Sequence, residues 1–170
     1  MTKSVVKFIS NFEKEEQWLN QMAAKGWHCI DYVFGRYLFE KGEPGEYIYR
    51  IQLLKNPINH LESTAYLNFL RETGVEVVAS YSRWVYLRKK AADGPFDLFS
   101  DKESRIAHYK NIIYMFLPFA IMNLAFSLKI FTGQTVPGLI HVAAVVILSI
   151  PIARCYKRIR RLKKERLISE

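Results

Sequence analysis

Two long apolar stretches behind a mixed-polarity region rich in Tyr, Phe and Trp, together with a strand-helix-strand-strand order that occurs twice, predict an α+β protein. The expected architecture is a duplicated strand-helix-strand-strand unit forming an antiparallel sheet with two helices on one face, followed by a two-helix transmembrane hairpin. Half of the 170 residues are hydrophobic. They concentrate between Ile112 and Ala153. The expected divisions are a cytoplasmic α+β domain at 1–92 (repeats at about 3–41 and 46–90), a linker and juxtamembrane helix at 93–111, transmembrane helices at 112–131 and 136–153, and a basic cytoplasmic tail at 154–170.

In the first repeat, Lys3 to Ser10 alternates loosely around Val5, Val6, Phe8 and Ile9 and reads as a strand. Asn11 suits an N-cap, with Glu13, Glu15 and Glu16 in the positively polarised first turns of a helix that closes at Gly26. Trp18, Leu19, Met22 and Ala23 give that helix an apolar face at helical spacing. Strands follow at His28 to Phe34 and Tyr37 to Lys41, turned by Gly35, and after Gly42-Glu43-Pro44-Gly45 a third runs from Glu46 to Leu54. That strand opens the second repeat. Asn59-His60-Leu61-Glu62 resembles a capping box, starting a helix with Leu61, Ala65, Phe69 and Leu70 on its face that closes at Gly74. Strands at Val75 to Ser80 and Trp84 to Lys89 complete the unit.

The residues repeat as well as the pattern. Trp18-Leu19-Asn20 matches Tyr66-Leu67-Asn68 at equal distances before Gly26 and Gly74. After a one-residue slip, Gly35-Arg36-Tyr37-Leu38-Phe39 matches Ser82-Arg83-Trp84-Val85-Tyr86. Alternation sends Tyr37, Phe39, Trp84 and Tyr86 to one face and Leu38, Val85 and Leu87 to the other, so both faces are apolar. Either the aromatic set is helix-facing core, or it meets a ligand, a partner, the membrane surface or a second copy.

Ile112 to Phe131 is about twenty residues, roughly 30 Å as a helix, which matches a bilayer core. Pro118 is tolerated in a membrane helix. The polar turn Thr132-Gly133-Gln134-Thr135 leads to a second apolar stretch, Val136 to Ala153. Both helices are apolar all round, and a chain this small has little else to cover them. Lys102, Arg105 and Lys110 precede the first span; Arg154, Lys157, Arg158, Arg160, Arg161, Lys163, Lys164 and Arg166 follow the second. The positive-inside rule puts both flanks in the cytoplasm. Asn123 and His141 are the strongly polar groups at membrane depth and suit an interhelical hydrogen bond better than a proton path, since neither helix carries an acidic residue.

The formal charge of +9 is largely this tail, so a topology signal explains the basicity better than nucleic-acid binding does. Cys29 and Cys155 lie far apart without metal-ligand spacing, and Cys155 sits where a juxtamembrane thiol is open to acylation. The N-terminus has no signal-peptide pattern, which keeps the first domain cytoplasmic. In Asp93-Gly94-Pro95-Phe96-Asp97-Leu98-Phe99-Ser100-Asp101 the spaced carboxylates are accounted for by turn chemistry and by a Ser100/Glu103 capping box rather than by a metal. GxSxG, HExxH, Walker and GxGxxG motifs are missing, and His28, His60 and His108 are scattered, so neither an enzyme nor a cofactor is expected.

Phe12-Glu13-Lys14-Glu15-Glu16-Gln17-Trp18-Leu19, Ala23-Ala24-Lys25-Gly26-Trp27, Gly42-Glu43-Pro44-Gly45-Glu46-Tyr47 and Asp93-Gly94-Pro95-Phe96-Asp97-Leu98-Phe99 together resemble domain-of-unknown-function family 2812 over about residues 5 to 110. The resemblance implies a bacterial protein, mostly of Firmicutes, with C-terminal membrane helices, often encoded beside PadR-type regulators, and so a regulatory or envelope-response role. It carries over no catalytic residues. The duplicated order is also similar, at the level of topology, to gyrase-inhibitor-like effector-binding domains, which bind drug-sized molecules.

These readings lead to a membrane-anchored, non-catalytic sensor or adaptor. Trp27, Tyr37, Phe39, Trp84 and Tyr86, with Arg36 and Arg83, are the expected contacts for a small amphipathic ligand or a regulatory protein. The rivals are a structural protein that closes a homodimer through that face and a toxin-immunity or transport-accessory protein working through Asn123 and His141.

Overall fold

The computed structural model describes the backbone of residues 1–133 and 135–169 and the side chains of those up to Glu165. Gln134 of the expected turn, and the side chain of Arg166, lie outside the described residues. The chain divides into two compact units, Met1–Leu98 and Phe99–Glu170.

The first unit is α+β with the duplicated order: β1 (Thr2–Val6), α1 (Phe12–Ala24), β2 (Trp27–Val33) and β3 (Arg36–Lys41), then β4 (Tyr47–Leu53), α2 (Leu61–Glu72), β5 (Val75–Tyr81) and β6 (Trp84–Lys90). Each repeat makes its own three-stranded antiparallel sheet, in the orders β1-β3-β2 and β4-β6-β5. The expected single sheet is thus divided. β2 lies alongside β5 without a hydrogen-bonded ladder among the described residues.

The duplication is sharper in the backbone than in the side chains. Gly26 and Gly74 end the two helices with positive φ, Ile30 and Val78 are bulged out of the ladders to β3 and β6, and Phe34 and Ser82 are, among the described residues, the two non-glycine residues with positive φ. All three pairs share one offset along the chain. That offset removes the one-residue slip between the hairpins, so Tyr37 corresponds to Val85 and Phe39 to Leu87. The aromatic likeness of Tyr37 to Trp84 pointed to the wrong register.

The helices do not share a face. Leu19 and Ala23 of α1 form one core with Cys29, Tyr37 and Phe39 of the first sheet and Tyr49, Ile51 and Tyr86 of the second. Helix α1 therefore packs between the two sheets. Leu67 and Leu70 of α2 pack with Val85 and Leu87, on the opposite face of the second sheet. Each face of β6 has its own helix, which is why its strand pattern is apolar on both sides.

Side chains of α1 also close the free edge of β4. Asn20 donates from Nδ2 to the Tyr49 carbonyl (3.0 Å) and accepts from its N–H (2.9 Å), pairing like a neighbouring strand. Glu16 accepts from the Ile51 N–H at 3.0 Å. An edge that would invite another strand is occupied from within the domain.

Both helix starts are capped by residues close to those expected. Asn11 Oδ1 accepts from the Glu13 and Lys14 N–H groups at 2.9 and 3.2 Å. At α2 the cap is His60 instead of Asn59, its Nδ1 accepting from Glu62 at 3.3 Å.

The second unit is a helical hairpin. Helix α3 runs unbroken from Lys102 to Ser127 through Pro118, and a 3-10 turn (Leu128–Thr132) extends it; α4 covers Thr135–Ser169. Asp101 caps α3 through a 2.6 Å bond from the Ser104 N–H, one residue later than the expected Ser100. The basic segment after Ala153 continues α4 as helix instead of forming a separate tail. Both helices are long and apolar enough to cross a membrane, and almost none of either apolar window is buried within the chain. A soluble helical hairpin buried in a core would show the reverse. Cys155 is buried, together with Tyr109, Ile112 and Ile159, so it is not an exposed thiol.

Candidate functional site

Residues 15, 19 and 23 form the buried stripe of α1, at the four-residue spacing of one helix face. Leu19 and Ala23 fit it. Glu15 is the exception: a carboxylate only 7% exposed, in an otherwise apolar and aromatic interior. Its Oε1 accepts from Tyr37 Oη on β3 at 2.6 Å and from Tyr86 Oη on β6 at 2.7 Å. One oxygen atom thereby joins helix α1 to both sheets. Its Oε2 accepts no protein hydrogen bond among the described residues, and no Lys, Arg or His pairs with the group.

Further aromatic rings pack on the two tyrosines. Tyr32 lies tilted against both, its ring centroid 4.3 Å from Tyr86 and 4.8 Å from Tyr37. Trp18 meets Tyr37 edge-on at 4.8 Å and Phe39 at 5.6 Å. Burial pushes the Glu15 carboxyl above its ordinary range, more than the two tyrosine hydroxyls pull it down. The same burial, with the carboxylate beside them, raises the Tyr37 and Tyr86 hydroxyls, so both stay protonated donors. The neighbouring Cys29 thiol is pushed up to about 12 by burial and has no thiolate reactivity.

The residues singled out from sequence do not form one surface. Tyr37, Phe39 and Tyr86 come together as buried core around α1, the helix-facing alternative of the two that alternation leaves open, and both faces of β6 are covered by helices. Trp84 is half-buried at the margin of that core, 5.6 Å from Phe12. Trp27 is half-buried at the far end of β2, with the Lys3 and Lys41 ammonium groups 4.9 and 5.2 Å from its ring. Arg36 is exposed at the start of β3, and Arg83 donates to the Leu54 carbonyl at 2.9 Å. In the helical unit, His141 Nδ1 lies 2.8 Å from Asn123 Oδ1, the interhelical hydrogen bond expected of this pair.

Glu15 itself was passed over, because three glutamates at a helix start are sufficiently explained by the helix dipole. The signal was its position: Glu15 lies four residues before Leu19 and eight before Ala23, on the same stripe.

The family described as "Protein of unknown function (DUF2812)" matches residues 11–121, from the cap of α1 into the apolar part of α3. The chain belongs to the DUF2812 family. The match includes Glu15, Tyr37 and Tyr86, strands β2 to β6 and the start of the first apolar helix, so the α+β unit from α1 onward and the entry to that helix belong to one family pattern. No curated protein and no solved structure matches the chain. The DUF2812 domain is thus assigned from its family profile and its own geometry.

Proposed function

We propose that this DUF2812 protein is a membrane-anchored, non-catalytic sensor, with both termini in the cytoplasm, whose N-terminal domain takes an amphipathic ligand with a cationic head at Glu15. The observation that carries the reading is a largely buried carboxylate whose Oε1 is already satisfied by two tyrosines from different sheets while its unbonded Oε2 is still reached by solvent. Ionisable groups are rarely kept in an interior unless paired, and perturbed ones mark functional sites more often than others. A cation with apolar substituents would pair with Oε2, while Trp18, Tyr32 and Phe39 offer ring faces and edges to its body. Entry would follow the join between β2 and β5, where only side chains hold the two sheets together. The apolar helices would then keep the sensor at the membrane, where amphipathic cations accumulate.

Native mass spectrometry of the intact chain, released from nonionic detergent and titrated with tetraphenylphosphonium, tests this. One saturable cation per chain is expected, with binding about tenfold weaker or worse in Glu15→Gln, a loss of at least one ~1.4 kcal/mol interaction. Gln keeps an Oε1 acceptor for both tyrosines and removes only the charge. Equal binding to both proteins would overturn the reading. An empty homodimer would favour self-assembly instead.

A further inference from the structure

Away from Glu15, one end of the α+β unit gathers three chain segments that contain no carboxylate: residues 5–11, 32–37 and 80–85. The Lys7 N–H donates to the Gly35 carbonyl at 2.8 Å, bringing the chain after β1 against the β2–β3 hairpin turn. Phe8 then lies 6.2 Å from Phe34, and Phe34 lies 5.8 Å from Tyr81 at the end of β5. These rings point outward: Phe8 is 74% and Phe34 65% exposed. Beside them, Val6 and Val33 flank Arg36 in one cross-strand row and are exposed as well.

The turn that presents Phe34 is made against its own preference. A two-residue hairpin loop with both φ angles positive favours Asn-Gly, because a bulky side chain is strained there. This chain places Phe34 at φ 42° and Gly35 at φ 82°. Gly35 is obligatory twice over, since a Cβ at that position would come within 2.6 Å of the Phe8 ring. The glycine lets Phe8 lie on the turn, and the phenylalanine extends the apolar tip outward.

We propose that this tip docks the domain onto an anionic lipid surface, Phe8, Phe34 and Tyr81 entering the interfacial zone while Lys7 and Arg36 meet the headgroups. Three observations favour lipid over a protein partner. The tip is basic and aromatic with no carboxylate in its three segments; the nearest acidic residue on that sheet face is Asp31, one cross-strand row further along. The exposed apolar side chains sit at the hairpin turn and on the chain laid against it, suited to shallow insertion, where a groove would suit a peptide. Lastly, the domain is continuous with helices apolar enough to span a bilayer, through a linker and about ten residues of α3, roughly 15 Å of helix. A lipid surface is therefore always present at high effective concentration.

The test places an environment-sensitive fluorophore on Ser82→Cys in the intact chain, both native cysteines being buried. The labelled protein is reconstituted into nanodiscs of phosphatidylcholine, with or without phosphatidylglycerol, doped with brominated phosphatidylcholine. Stronger bromine quenching in the anionic discs is expected, falling at high salt and weakened about fivefold for each of Lys7→Glu and Arg36→Glu. Phe34→Asn, which suits the turn and so keeps the fold, should also reduce it. Equal quenching in both disc types, or quenching indifferent to Phe34 and Arg36, overturns the proposal. So does quenching that appears only in discs holding two chains, which would make the tip a contact between copies.

Discussion

The two repeats place different chemistry at the same point of the same helix. On the offset set by their glycines, bulges and hairpins, Glu15 of α1 corresponds to Ser63 of α2, and both are buried. Ser63 is satisfied locally, its hydroxyl donating to the Asn56 carbonyl at 3.2 Å just outside its own helix. Glu15 instead reaches two tyrosines on two sheets. Likewise Asn20 seals a strand edge, while its counterpart Asn68 only accepts from Arg71 at 2.8 Å on the exposed side of α2. The duplicated backbone has been kept and one copy of the helix has been given most of the long-range polar work, α2 contributing the Tyr66 hydroxyl, which donates to Gln52 Oε1 at 2.9 Å. Helix α1 meets both sheets and leaves only a stripe at Lys14, Gln17, Gln21 and Ala24 exposed, whereas α2, covering one outer face, is exposed over most of its surface.

The largest effects should come from positions where the repeats are alike. Phe39 and Leu87 correspond, are fully buried, and each faces the helix of its own repeat. Phe39→Ala should cost about 3–5 kcal/mol and Leu87→Ala about 2–5 kcal/mol. Denaturant unfolding of the intact chain in detergent would read both. A cost for Leu87→Ala as small as that of a surface change would mean that α2 does not pack there.

The asparagines should then separate the repeats. Asn20→Ala removes both bonds to Tyr49 and leaves its part-buried N–H unpaired, while the carbonyl keeps its 2.9 Å bond from Arg50, a loss of about 1–3 kcal/mol. Asn68→Ala should lie within about 0.5 kcal/mol of the parent. Equal effects would mean that the two helices carry the same polar load. Asn20→Ala should also expose the β4 edge, visible as faster hydrogen exchange at the Tyr49 amide, while the Ile51 amide stays held by Glu16.

Much of this architecture was legible in the residues, and the parts that were not share a cause. Local signals held: Asn11 as a cap, Gly26 and Gly74 as helix ends, and the apolar length of the two C-terminal helices. The caps at His60 and Asp101 each missed by one residue, because several adjacent polar side chains qualify and only the hydrogen-bond geometry chooses among them. Alternation along β6 correctly gave two apolar faces. What it could not say was which helix lies on which face, since α1 comes to the second sheet from a different repeat. For the same reason the sequence does not reveal the partners of Asn20 and Glu16: they are backbone groups of Tyr49 and Ile51, about thirty residues away, and backbone atoms carry no sequence signal.

Glu15→Gln should act with the opposite sign from the preceding changes. The carboxyl is raised in the folded state, so the fold holds its proton more tightly than the unfolded chain does. Folding stability therefore falls as pH rises from the ordinary carboxylate range through the raised value, and the cost is complete above it. Gln retains the hydrogen bonds and has no charge to desolvate. At neutral pH the variant should be more stable by about 1 kcal/mol, and it should lose the part of the pH dependence that begins near pH 4.5. Thermal unfolding across that range would measure both, with Ser63→Ala, which carries no titrating group, as the control. A parallel pH profile in Glu15→Gln would mean that the carboxyl is not held in the interior.

The smallest effect concerns the two hairpin turns, Phe34-Gly35 and Ser82-Arg83. Both first residues have positive φ, 42° for Phe34 and 57° for Ser82. The left-handed region costs an ordinary side chain about 1–2 kcal/mol, and Asn is among the residues that enter it most readily. Phe34→Asn should therefore stabilise the domain by about 0.5–1 kcal/mol, while Ser82→Asn, replacing one small polar side chain with another, should change little. If the phenylalanine were held in place by contacts worth more than its strain, the substitution would destabilise instead. A gain in stability joined to a loss of membrane contact would identify Phe34 as a residue kept for its surface at the expense of the fold.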